Sequence, residues 1–157
     1  MVVQILHPTE PRVIAILDWE LSTIGHPIMD VVYAVSPFWN RTGSMGRPTA
    51  TSTPSPYRTE NRAAHGMPDP DQLLDRYAEI VGFDLRKDGG GKDWEVAKVF
   101  HHLRAGTITH GIQARTISGQ ASSEFSHLYF EQTKKNLDEA AKMVEALKEQ
   151  EGAKAKL

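Results

Sequence analysis

The stretch AILDWELSTIGHPIMD, Ala15 to Asp30, decides how this chain is read. It opens on the end of an apolar run, Val13 to Leu17, that leads directly into Asp18. The run VIAIL is apolar without alternation, which is the pattern of a short strand covered on both faces. A carboxylate at the end of such a strand is unfavourable unless something pairs with it. A hard cation is one partner, since Mg²⁺ wants oxygen ligands and shares them between carboxylates and substrate phosphates. A strand-end aspartate of this kind holds the metal on ATP in phosphoryl transfer. A turn cap or an ion pair with an arginine is the other account of Asp18, and the residues alone leave both open.

Outward from this stretch, Val2–Leu6 and Val13–Leu17 flank HPTEPR, whose two prolines mark a tight connection, so the pattern predicts a β-hairpin. Pro27 to about Ser36 reads as a helix, because proline is favoured in a first helical turn, and Pro37 is expected to end it. Asn40 to Asp69 is rich in Gly, Pro, Ser and Thr and reads as a long loop, of a length usually functional or disordered. DPDQLLDRYAEIVG has Asp69 as N-cap, Pro70 at the first helical position, Gln72 at the third and Gly82 as the stop. RKDGGGKD follows as a flexible connection, and a long helix begins at Asp93. Gly106 and Gly111 each weaken that helix by about 1 kcal/mol relative to alanine, which points to close packing at both. A last helix is expected from Ser122 or Ser123, with Leu137, Ala140, Val144 and Leu147 as its apolar stripe. Residues 151–157 read as a flexible tail. A small β-element followed by helices predicts an α+β fold, mostly helical, in a single domain spanning 1–150.

Composition narrows the function classes. The chain has 157 residues and a net charge of −2, so there is no electrostatic case for nucleic acid or an acidic membrane surface. It has no cysteine, which removes disulfides and thiolate metal sites and fits a reducing compartment. No apolar run approaches the roughly 20 residues of a membrane helix, and the N-terminus lacks the basic region of a signal peptide.

The segment ILDWELSTIGHPIMDVVY resembles the C-terminal part of the aminoglycoside phosphotransferase, choline-kinase-like family. It looks most like the branch associated with acyl-CoA dehydrogenase proteins, and HPTEPRVIAI and WEVAKVFHHLRAGTITHGIQARTISGQASS extend the likeness over nearly the whole chain. The resemblance implies the C-terminal lobe of a protein-kinase-like fold, with a short hairpin followed by a helical subdomain. It implies that Asp18 binds metal, that Asp30 supports the catalytic loop, and that Gly25, His26 and Pro27 fix the turn between them. His26 also reads simply as a satisfied turn residue. The resemblance further places Trp39, His101, Arg104 and His110 on the acceptor side, in an enzyme using Mg and ATP to phosphorylate a small-molecule hydroxyl, with a hydroxylated acyl group as one acceptor class.

The same family carries a loop H-G-D-x-x-x-x-N and a nucleotide-binding lobe before the hairpin. Here no Asp precedes Asp18 and no Asn precedes Asn40. Without that base, Asn and phosphate-binding lysine, this polypeptide alone is expected to be inactive and to bind neither Mg nor ATP. The rival expectation is a non-catalytic helical binding module.

Other signals weigh less. DGGGKD is not a phosphate loop, because Asp93 follows the lysine where Ser or Thr is required. His101, His102 and His110 lie on one helix, where His102 and His110, about two turns apart, could share a face, with no carboxylate spaced to complete a zinc site. Ala155, Lys156 and Leu157 form a close variant of the Ser-Lys-Leu peroxisomal address, which predicts an import receptor as partner and a peroxisomal location, with cytoplasm as the alternative.

Overall fold

A computed structural model describes residues 3–17, 24–40, 62–63, 66–88 and 91–154. Asp18, most of the long Asn40–Asp69 loop, Gly89, Gly90 and Ala155–Leu157 lie outside the described residues. Strands β1 (Val3–Leu6) and β2 (Val13–Leu17) form an antiparallel hairpin with Val3 opposite Leu17 and Ile5 opposite Ala15. The turn is closed by His7, whose Nδ1 accepts from the backbone N–H groups of Thr9 and Glu10. Helices α1 (Ile28–Trp39), α2 (Pro70–Val81), α3 (Lys92–Ile117) and α4 (Phe130–Lys154) follow.

The expectation that β2 is covered on both faces is wrong. Val13, Ile14, Ile16 and Leu17 are between 44% and 47% exposed except Ile16 at 39%. Strand alternation sends Ile14 and Ile16 to one side and Val13 and Leu17 to the other. Both faces are therefore apolar and both are open to solvent. Among the described residues the hairpin packs mainly on itself.

Helix α1 runs through Pro37 instead of stopping before it. A proline inside a helix lacks the N–H that would bond four residues back, here at the Tyr33 carbonyl. The Ser36 hydroxyl donates to that carbonyl at 2.8 Å, and Asn40 N–H bonds Ser36 O at 2.8 Å beyond it. The gap left by the ring falls in the last turn and is filled from the side chain next door.

Helix α2 has the caps its sequence demands. Asp69 accepts from Asp71 N–H at 2.9 Å, Gln72 Oε1 accepts from Asp69 N–H at 3.3 Å, and Gly82 closes the helix at φ 75°. The residues just after it are tied back by ion pairs, while Gly89 and Gly90 of the expected flexible connection lie outside the described residues. Arg86 binds Asp84 at 3.0 Å and reaches back to Asp75 and Asp71 on α2. These bonds hold the Asp84 carboxyl far below the usual carboxylate range and raise the Arg86 guanidinium further still. Gly91 sits at φ 71°, and a Cβ there would come within 2.6 Å of Arg86 O, so the entry to α3 requires glycine.

Helices α3 and α4 run antiparallel as the main body. Lys92, at the start of α3, pairs with Glu151 near the end of α4, which raises the lysine's proton affinity. The Thr133 hydroxyl donates to Thr109 Oγ1 at 3.0 Å near the other end. Gly106 lets the helices approach: a Cβ there would stand 3.2 Å from Leu137 Cδ2. Gly111 has open space around it, so the close packing expected there is absent. Helix α4 starts later than Ser123, after a 3₁₀ turn at Ser126–Tyr129, and stays helical to Lys154, four residues into the expected tail. Of its predicted stripe Ala140 is buried, Val144 and Leu147 are half-buried, and Leu137 is exposed except where it meets Gly106. A second cluster, Ile28, Val32, Leu85 and Ala97 with Tyr77 and Trp94 against it, ties α1, α2 and α3 together.

Candidate functional site

Residues from three helices converge where the C-terminal end of α1 crosses α3. Trp39 lies edge-on to His101 at 5.1 Å and to His102 at 5.6 Å between ring centroids. Tyr33, nearly two turns earlier on α1, is 5.9 Å from His101. Asn40 and His102 are each 1% exposed, and His101 is 5% exposed.

Each buried imidazole is held by an asparagine. Asn136 Nδ2 donates to Gln132 O at 2.8 Å, which leaves its Oδ1 to accept. His102 Nδ1, 3.1 Å from that oxygen, is therefore the protonated nitrogen. Asn40 Nδ2 stands 3.3 Å from His101 Nε2, so the amide donates and the imidazole accepts there. A protonated His101 could not accept. Burial first, then the neighbouring His102 and Arg104, push its pKa down to about 4. His101 is thus a neutral, buried acceptor at physiological pH.

Two cations border this cluster. Lys98 Nζ lies 6.0 Å from the Trp39 ring and is engaged by Glu95 at 2.6 Å. Arg104 is exposed, with its guanidinium 5.9 Å from the Tyr33 ring. Trp39 Nε1–H is buried without a hydrogen-bond partner among the described residues.

Of the residues expected on the acceptor side, the structure brings Trp39 and His101 into contact and sets Arg104 beside them. His110 stands apart, exposed on α3. His102 does not share its face: it is buried against α4 while His110 meets solvent. Among the described residues no group of three or more His, Asp or Glu side chains could hold a metal. His26 Nδ1 accepts from Ile28 N–H at 3.2 Å, and its carbonyl accepts from Met29 N–H at 3.2 Å, so it caps the start of α1. Pro27 begins the turn, Gly25 is exposed, and Asp30 is exposed in the first helical turn, where the positive helix end favours a carboxylate. Asp18 and the targeting residues Ala155, Lys156 and Leu157 lie outside the described residues. Sequence reasoning missed Asn40, Asn136 and Tyr33. A buried histidine needs a partner, but nothing local says that His102 finds it 34 residues away.

No helix among the described residues is long and apolar enough to cross a membrane. The chain is homologous to proteins named acyl-CoA dehydrogenase family member 11 and family member 10. It is 34% identical to the Pongo abelii member 11 over 80% of this chain and 14% of that protein. It is 32% identical to the Gallus gallus member 11 over 92% of this chain and 16% of that protein, and 29% identical to the Mus musculus member 10 over 76% and 10%. The chain thus spans about one seventh of the length of the curated relatives it matches. No family model and no solved structure matches it. These findings correct the resemblance to the aminoglycoside phosphotransferase family: the matching proteins carry acyl-CoA dehydrogenase names, and the association with such proteins is the part that stands.

Proposed function

We propose that this chain is part of an ATP- and magnesium-dependent phosphotransferase acting on a hydroxyl of a small molecule, with α3 on the acceptor side. The observation that carries the reading is local. Strand β2 ends at Leu17, immediately before Asp18, and α1 begins at Ile28 behind a histidine cap. An acid that follows a strand directly in the sequence, ahead of an anchored helix, suits a phosphate-bound metal. The described residues do not by themselves fit a magnesium–nucleotide centre, since no set of metal-ligating side chains converges among them. The activity accordingly belongs to a longer polypeptide or assembly, and the isolated chain is expected to be inactive.

The test is magnesium-dependent transfer of phosphate from ATP by the complete native protein, with short hydroxylated acyl compounds offered as acceptors. Asp18→Asn should lower turnover by a factor of about 10²–10³, the scale of one lost electrostatic contact to the transition state. Turnover that survives the substitution would refute the reading.

One observation favours a second reading. The open apolar hairpin suits a helical module without catalytic activity, whose strand edge pairs with another protein. In that case Asp18→Ala leaves partner binding unchanged, whereas Ile14→Lys abolishes it.

A further inference from the structure

The charge of Arg104 is the feature of the α1–α3 surface that neither packing nor the cluster behind it uses. The other cation bordering the cluster, Lys98, is compensated by Glu95. Among the described residues Arg104 has no carboxylate within ion-pair distance, and its guanidinium lies 5.9 Å from the Tyr33 ring. The ring fixes where the guanidinium sits without neutralising it. One turn before it on the same flank of α3 stands Phe100, a large apolar side chain 54% exposed. Leu103 is exposed beside them.

We propose that Arg104 anchors an anionic group of the acceptor molecule and that Phe100 covers its apolar body. The ligand class is a small carboxylate or phosphate with a hydrocarbon portion. The inference rests on the reading of α3 as the acceptor side. Carboxylate and phosphate share the chemistry, because both match the planar fork of a guanidinium with two parallel hydrogen bonds. The same positive charge rejects an amine of identical shape, so cationic acceptors are excluded by repulsion. His101 reports on the site. The Arg104 charge holds down its proton affinity across the cluster, so an anion that neutralises Arg104 relieves part of that effect.

The test titrates the chain with hexanoate, hexyl phosphate, hexylamine and inorganic phosphate at fixed ionic strength, following the His101 ring signal by NMR. Hexanoate or hexyl phosphate should shift that signal and move its titration midpoint upward, and the tighter of the two identifies the source of the anionic group. Hexylamine should leave it in place. Arg104→Gln should weaken binding at least about tenfold, the scale of one lost charge-assisted pair. Phe100→Ser should weaken both hexyl anions and spare inorganic phosphate. Failure of both hexyl anions to bind at millimolar concentration, equal binding by Arg104→Gln, or equal binding of hexylamine overturns the proposal. No ATP or turnover enters this experiment. Phosphate transfer indifferent to Asp18 would defeat the functional reading and leave the anion site standing, and lost anion binding would do the reverse.

Discussion

Acid should destabilise this protein through His101 before the carboxylates begin to protonate. The folded imidazole titrates near pH 4, against an ordinary value of 6.5. Below 6.5 the unfolded chain takes up a proton that the folded chain refuses until about pH 4. The stability His101 confers is therefore fully present above 6.5 and is lost as pH falls through that window. At about 1.4 kcal/mol for each pH unit between the folded and unfolded values, the whole loss is about 3 kcal/mol, and about 2 kcal/mol has gone by pH 5. Urea unfolding of the native protein and of His101→Phe, measured from pH 7.5 to pH 5, isolates the effect because every other group titrates in both. The variant starts less stable at neutral pH, since Asn40 Nδ2 loses its acceptor. Its deficit should then shrink by about 2 kcal/mol on acidification. Two stability curves that fall in parallel would show that His101 accepts a proton as easily folded as unfolded, and the account of the cluster would be wrong.

Three further outcomes are expected. Asn136→Ala should destabilise by about 1–3 kcal/mol, because it strands the buried His102 Nδ1–H, read as a lowered urea midpoint with unchanged slope. Gly111→Ala should stabilise by up to about 1 kcal/mol, having only open space to fill, whereas Gly106→Val should destabilise by about 1–3 kcal/mol against Leu137; thermal melts rank the two. Asp69→Ala should weaken the start of α2 by about 1 kcal/mol, seen as faster amide exchange at Asp71 and Gln72 with the α3–α4 amides unaffected.

What could be read from the sequence was what is decided within one helical turn. The whole of α2 was legible because cap, proline, capping box and terminal glycine each act on a neighbour three or four residues away. Gly106 was legible as a close approach, but Gly111 carries the same local signal and has no neighbour, because propensity says nothing about what stands opposite. Pro37 misled because its cost depends on whether the carbonyl it abandons finds another donor, and Ser36 supplies one. The hairpin misled because an apolar strand shows what it can bury, not whether this chain covers it. The His101–His102 cluster was visible only as three histidines on a helix. Its asparagines come from 61 and 34 residues away, and that distance, rather than any weakness of the signal, hid the site.

The spacing of the cross-helix bonds also sets an order of assembly. Thr109 meets Thr133 across 24 residues, His102 meets Asn136 across 34, and Lys92 meets Glu151 across 59, so each bond between α3 and α4 shortens the loop that the next must close. The helical hairpin can zip from its turn outward. Asn40 reaches His101 across 61 residues, a closure about 0.8 kcal/mol less favourable in chain entropy than the first step of the zipper. The α3–α4 pair therefore collapses first, and α1 arrives on a surface already formed, bringing Trp39 with it. Until then the His101 imidazole lacks the cover of Trp39 and Asn40. In rapid refolding, helical signal should lead and tryptophan burial should lag, and mild acid should slow the second phase alone.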